Sequence, residues 1–335
     1  MKAVYIKEFG GAESLEIREV ENPPEPKGNE VLVDVKAAAL NRADILQRQG
    51  FYPAPTGFPE RILGLEFAGE VAEIGAAVTD YKIGDRVFGI TAGGGQAEFL
   101  LTETSLLAVI PDNLSFTEAA AIPEAFITAH DAIFTLGDLL DNETLLIHAV
   151  GSGVGLAALQ LAKAKNIVTF GTSRTADKLV KCDGLGLDYG IVTNADLSDI
   201  QNARYFAEII EHQNNGKGVD VILDLVGANY FAANLESLNQ KGRLILVGLT
   251  GGRTAEFNLG LALQKRAKII GTVLRSRPAE EKAEATRKFI EEVLPLIAAG
   301  RVKPNLDRVF PVENVKEAHE YLESNASFGK IVLEF

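Results

Sequence analysis

The sequence predicts an α/β protein in two parts, a small, partly closed β-barrel and a doubly wound parallel sheet. Three observations carry that expectation. A length of 335 residues fits two domains at about 150 residues each. The first third reads as short strands punctuated by Gly, Pro and Asn. Between Thr144 and Leu274 strands alternate with helices, the pattern of parallel βαβ units.

Taken in order, Ala3–Phe9 opens the barrel and the Asn22, Pro23, Pro24 turn follows. Residues 31–36 alternate apolar and polar as a half-buried strand does. Arg42 to about Gln49 predicts one helix, stopped by Gly50 and Pro53. Phe67–Ile74, Arg86–Ile90 and Ala97–Leu101 are further strands, with turns at Gly84–Asp85 and Gly93–Gly95. Ser115 with Glu118 is a capping box, Pro123 breaks the chain, and Glu124–Thr135 reads as a helix ending at Gly137.

The alternation then begins: strand Thr144–Val150, helix 153–165, strand Ile167–Thr172, a helix near 176–183 and strand Gly190–Val192. Next come a helix capped by Ser198 with Gln201, strand Val219–Val226, helix Tyr230–Asn239, strand Arg243–Gly248 and strand Lys268–Leu274. Two helices follow, about 279–299 and 313–324. The closing strand, 329–335, lies too far from the alternation to continue it and is expected to return to the barrel. The domains therefore read as 1–122 with 271–335, and 123–270 between them.

Composition narrows the function. The net charge is −13, and such a field repels nucleic acid and anionic membrane surfaces. No apolar run reaches the ~18 residues of a membrane helix. The N-terminus meets Glu8 early and has no apolar core of the secretory kind, so the cytoplasm is the expected location. A single cysteine, Cys182, excludes an internal disulfide and a Cys-rich zinc cluster. His130, His148, His212 and His319 leave little for a polyhistidine metal site.

One local motif carries chemistry. Residues 145–150 run straight into Gly151, Ser152, Gly153, Val154 and Gly155, and then into a helix whose Val154, Ala157, Ala158 and Leu161 share one face. Glycines between strand and helix let the backbone approach a pyrophosphate, which the helix N-terminus then receives. A tight turn with no ligand is the alternative. About twenty residues on, where a carboxylate would select NAD by binding the ribose 2′-OH, the chain offers Ser173, Arg174 and Lys178. Hydroxyl, guanidinium and ammonium favour a 2′-phosphate, hence NADPH. The competing reading, supported by Asp177, is that these are solvated residues at a helix start.

Here the chain resembles the medium-chain dehydrogenase/reductase superfamily over essentially its whole length, in its zinc-free quinone oxidoreductase branch. The match is carried by residues 41–44 and 47–52, 64–71, 84–87, 118–128, the glycine turn, 246–248, 271–275 and 329–332. The resemblance implies a chaperonin-10-like β-barrel catalytic domain, a Rossmann nucleotide-binding domain, a cleft between them and a homodimer or homotetramer. The strand Lys268–Leu274 is a candidate exposed edge for such pairing. Zinc-dependent members carry Cys in the segment matching 41–44 and His between the residues matching Gly64 and Glu66; this chain has no Cys there and has Leu65. Ser152 is similar to the subgroup of the apoptosis-associated quinone oxidoreductase of animals.

Without a metal, alcohol oxidation is a poor fit. A metal lowers the pKa of bound water from about 15.7 to about 7, and a comparable alcohol shift is worth on the order of 12 kcal/mol. A quinone or an enone accepts hydride directly and delocalises the resulting charge, so hydrogen bonds suffice. The resemblance places Asn41, Tyr52 and Ser152 around the reacting centre, with Asn41 as a turn-capping amide and Tyr52 as a packing residue the open alternatives. It assigns Thr128, Val247, Gly248, Leu274, Arg275 and Lys330 to the cofactor, Lys330 reaching a phosphate from the last strand or lying on the surface. His148 and His130 read as core histidines. A dinucleotide-binding protein with little turnover is the remaining alternative.

Overall fold

Short β-branched and apolar runs separated by turn residues make the strands, and alanine- and leucine-rich amphipathic runs make the helices. The computed structural model describes residues 1–193 and 196–335. In chain order the first elements are β1 (Lys2–Ile6), β2 (Leu15–Glu19), β3 (Glu30–Ala39), α1 (Arg42–Arg48), β4 (Glu66–Ile74), β5 (Arg86–Ile90), β6 (Phe99–Glu103) and β7 (Leu107–Val109). They are followed by α2 (Phe116–Ala120), α3 (Pro123–His130), β8 (Thr144–Ile147), α4 (Gly153–Ala164), β9 (Val168–Ser173), α5 (Ala176–Asp183) and β10 (Tyr189–Val192). Then come α6 (Ile200–Gln213), β11 (Val219–Asp224), α7 (Phe231–Ser237), β12 (Leu238–Leu246), α8 (Leu259–Lys265) and β13 (Lys268–Gly271). The chain ends with α9 (Ala279–Glu292), α10 (Leu294–Ala298), β14 (Leu306–Pro311), α11 (Val315–Glu323) and β15 (Lys330–Glu334).

The chain divides into two units, residues 1–127 with 274–335, and residues 128–273. In the first, β14, β15, β3, β4, β5 and β7 form one sheet, with β6 also on β3 and β1 paired with β2. The last strand does return: β15 runs antiparallel to β3 with Val332 opposite Ala39. Val33, Val35, Phe67, Val71, Val87 and Leu107 fill the barrel interior. The second unit is a parallel sheet ordered β10-β9-β8-β11-β12-β13, a doubly wound arrangement. Leu146, Phe170, Ile222 and Leu244 pack there against Phe206 and Ile210 of α6.

Several details differ from the sequence reading. Pro123 begins α3, because a first-turn residue needs no N–H donor. The division therefore falls after Ile127, inside that helix, and not after 122: the Glu124 N–H is bound to Glu66 of β4. The second division follows Val273, since Thr272 N–H still bonds Leu246. Asp199, not Ser198, caps α6, its carboxylate accepting from Gln201 and Asn202. The helix expected over 279–299 breaks near Val293, ahead of Pro295. Strands β2, β7 and β14 were absent from the reading; each is short and paired at an edge or with one neighbour.

Candidate functional site

The second unit holds the dinucleotide-type features. β8 delivers the chain to a turn in which Ala149 adopts φ 49°, a left-handed conformation costly for a residue with a side chain. Ser152 then caps α4: its Oγ accepts the Gly155 N–H at 3.2 Å, and its carbonyl takes the Leu156 N–H. The Gly153 and Val154 N–H groups are given no acceptor by any described residue, as the first turn of a helix leaves them. Gly155 has to be glycine, because a Cβ there would lie 2.7 Å from the carbonyls of Ala149 and Val150. Thr128 contributes a buried hydroxyl that also has no hydrogen-bond partner among the described residues.

Beside this turn, Ser173 ends β9 buried, its Oγ accepting from Thr175 N–H, while Arg174 is exposed and Lys178 half-buried. Val247 and Gly248 follow β12, and both N–H groups bond the Asp224 carbonyl. The ends of three strands are tied together beneath the surface. His148 meets Thr172 through Nδ1 at 2.9 Å and Asn234 through Nε2 at 2.6 Å. Asn234 donates its amide to Asp224 at 2.8 Å, and Asp224 also accepts from Val226 and Gly227. Since Asn234 Nδ2 serves Asp224, its oxygen faces the ring, which fixes the proton on Nε2. Burial holds the His148 pKa below its ordinary value, and His148 is a core residue of this network.

The first unit holds a buried cluster of ionisable groups. Asn41 precedes α1, and its backbone N–H donates to Asp44 Oδ2 at 2.7 Å, with Gly64 N–H on the other oxygen at 3.1 Å. Gly64 has φ 105°, and a Cβ would come within 2.4 Å of Gln96 N. Asn41 and Asp44 form a capping box at the start of α1, and the Asn41 side chain also reaches beyond the helix. Its Nδ2 donates to Glu66 Oε1 at 2.8 Å and its Oδ1 accepts from Lys330 at 2.6 Å. Lys330 also pairs with Glu66 at 2.6 Å and bonds the Leu40 carbonyl. The second Glu66 oxygen takes the Glu124 N–H at 2.8 Å.

Arg275 completes the group, donating to Ala92 O, Tyr52 O and Gln47 Oε1, with its guanidinium 5.0 Å above the Tyr52 ring. The Tyr52 hydroxyl and the Glu124 carboxyl make no hydrogen bond to a described residue. Burial, and then the neighbouring Glu66 carboxylate, push the Glu124 pKa up to about 8. Burial also raises Asp44, to about 6, against its two backbone hydrogen bonds.

The expected residues thus fall into two sets. Thr128, Gly151, Ser152, Gly153, Val154, Ser173, Arg174, Lys178, Val247 and Gly248 belong to the second unit; Asn41, Tyr52, Leu274, Arg275 and Lys330 belong to the first. Lys330 is neither a surface lysine nor a phosphate hand: its ammonium is taken up by Leu40, Asn41 and Glu66. Arg275 is likewise committed to acceptors of its own unit, because burial requires its donors to be satisfied. Asp44, Gln47, Glu66 and Glu124 were not singled out. The register that sets Val332 opposite Ala39, extended by two residues, brings Lys330 to Asn41, a signal available once the last strand is placed in the barrel.

Comparison with known proteins bears on both sets. Residues 27–127 match the alcohol dehydrogenase GroES-like domain family and residues 192–333 the zinc-binding dehydrogenase family. A quinone oxidoreductase of Rattus norvegicus is 32% identical over 337 residues, covering 99% of this chain and 97% of that protein. The synaptic vesicle membrane protein VAT-1 homolog of Danio rerio is 30% identical, covering 99% of this chain and 69% of that protein. Among solved structures, a mycobacterial protein complexed with NADPH superposes with a TM-score of 0.87 at 28% identity, covering 100% of both chains. CurK enoyl reductase superposes at 0.86 with 26% identity, covering 99% of this chain and 98% of that one.

Proposed function

This chain belongs to the medium-chain dehydrogenase/reductase superfamily, in its quinone oxidoreductase branch, and from that premise we propose that it reduces quinones with NADPH, by direct hydride transfer and without a metal ion. The observation that carries the reading is the donor set of the first unit. At the position of the zinc-ligand histidine stands Leu65, 2% exposed. The acceptors beside it, Asn41 Oδ1 and Glu66 Oε1, already face the Lys330 ammonium at 2.6 Å each. A second cation there would meet like charge. Among the described residues no group of three His, Cys, Asp or Glu is arranged for a metal. Zinc does not fit this donor set.

A dinucleotide does fit the second unit, on the unused N–H groups of Gly153 and Val154 and the unpartnered Thr128 hydroxyl. When bound, its nicotinamide supplies the hydride. Gly151 to Val154 hold the pyrophosphate, Ser152 by capping the helix that presents those groups. Ser173, Arg174 and Lys178 receive the 2′-phosphate, and Val247 and Gly248 line the carboxyl edge of the sheet. Tyr52 offers a hydroxyl and a flat face to an aromatic acceptor, and Asn41 a second amide N–H not used by Glu66. Arg275 acts as the support behind Tyr52, and Leu274 precedes it in the chain.

The exposed strand β13 at the sheet edge, together with Leu259 (71% exposed) and Leu263 (80%) of α8 and Val273 (49%) beyond the strand, supports a homodimer or homotetramer. No described helix is long and apolar enough to cross a membrane, and we place the protein in the cytoplasm. Purified protein should oxidise NADPH with simple quinones, and a chelator should leave the rate unchanged. Arg174→Gln should raise the KM for NADPH about tenfold or more, as loss of a charge-assisted hydrogen bond does, and leave NADH untouched. Absence of NADPH oxidation with every quinone tried would remove the quinone reading. The resemblance to an enoyl reductase favours enone or alkenal reduction as the second reading, and faster turnover of an alkenal than of a quinone would select it. Cofactor binding with no acceptor-dependent turnover would mark a binding protein.

A further inference from the structure

We infer that Glu124 supplies the proton consumed when the acceptor is reduced, a role that rests on the reductase reading above. Glu124 is half-buried at the start of α3 and its carboxyl makes no hydrogen bond to a described residue, while its backbone N–H is fixed on Glu66 at 2.8 Å. Around it stand Glu66 from β4, Asp44 from α1, Tyr52 after α1, Arg275 after β13, Lys282 from α9 and Lys330 from β15. The other acids of this group are accounted for. Glu66 is neutralised by Lys330, and Asp44 is held by two backbone N–H groups. None of the surrounding cations forms an ion pair with Glu124.

An uncompensated acid in such a place keeps its proton at neutral pH. Burial and the Glu66 carboxylate set its titration near about 8. A general acid near neutrality is what reduction of a carbonyl acceptor requires. The acceptor gains the hydride with its electron pair and becomes an oxyanion. The Glu124 O–H bond then breaks, the proton forms the new O–H bond of the product, and solvent re-protonates the carboxylate.

The test is a pH profile of NADPH-dependent quinone reduction by the full chain. The wild-type kcat should be flat toward acid and fall tenfold per unit above about pH 8, because only the protonated form is competent. Glu124→Gln should lose about a hundredfold in kcat at pH 7 and abolish that limb, with the Kd for NADPH unchanged. Glu124→Asp, which keeps a transferable proton, should retain the limb and recover part of the rate. A basic limb shared by wild type and Glu124→Gln overturns the proposal and leaves the reductase reading intact. A wild-type profile with no basic limb overturns it even if both variants fail to fold. Failure of the wild-type protein to oxidise NADPH with any quinone or enone supplied removes the reductase reading and this role with it.

Discussion

The two units treat buried polarity in opposite ways. In the first, acids and bases from six separate segments are packed together, and one acid, Glu124, has neither an ion pair nor a side-chain hydrogen bond among the described residues. In the second, the linked groups beneath the sheet edge are neutral or held by amides: Asp224 is satisfied by Val226, Gly227 and Asn234, and His148 is kept uncharged. Under the proposed reduction the difference has a use: a turn that receives phosphates works through backbone N–H groups held still, and a region that meets a developing oxyanion holds protons and charges ready.

The strongest way to break the comparison is at Lys330. Lys330→Met leaves Glu66, 0% exposed, with only Asn41 and the Glu124 N–H as donors. Breaking a buried pair by removing one partner costs about 3–5 kcal/mol, to be read in urea unfolding. Adding Glu66→Gln should return most of the loss. A cost under about 1 kcal/mol would show that the cluster is not stabilised by charge pairing.

The neutral network should be less sensitive. Asn234→Ala deprives both His148 and Asp224 of a partner, and an unsatisfied buried group costs about 1–3 kcal/mol. A loss equal to that of Lys330→Met would erase the distinction between the units. Acid provides a third comparison, because His319 in the first unit is also buried, with its Nδ1 accepting from Arg48 at 3.3 Å. Its pKa is pushed down to about 3 by burial, and then by the Arg48 charge. The unfolded chain protonates this histidine near about 6.5. Stability contributed by the neutral ring is therefore complete above that value and is lost, at up to about 1.4 kcal/mol per pH unit, as pH falls toward the folded pKa. His319→Gln, whose oxygen can still accept from Arg48, should flatten that slope in unfolding measured from pH 7 to 5.

Much of the second unit was legible because its signals are local. The glycine turn, the run from Ser173 to Lys178 after β9 and the alternation of strands with helices each occupy a short window. The first unit was legible as a barrel and opaque as a site. Lys330 and Asn41 are 289 residues apart in sequence, and Glu124, Glu66 and Asp44 carry no spacing that marks them. The resemblance assigned Lys330 and Arg275 to the cofactor, and the topology that commits them to Asn41, Glu66 and Gln47 is a long-range fact. Asp44 was invisible as a buried acid because its partners are backbone N–H groups, which every sequence has.

The smallest expected effect sharpens the comparison most finely, at Ser152, where a capping role and a role at the reacting centre can be told apart. The hydroxyl accepts the Gly155 N–H at 3.2 Å, so Ser152→Ala should cost about 1 kcal/mol of stability, whereas Ser152→Gly should cost only a few tenths. If Ser152 acts through the cap alone, affinity for NADPH should follow the same order and kcat should be similar in the two variants. If the hydroxyl also meets the reacting centre, both variants should lose kcat equally, since both lack the oxygen. Stability and turnover measured on the same pair therefore separate a residue that holds the helix end from one that touches the acceptor.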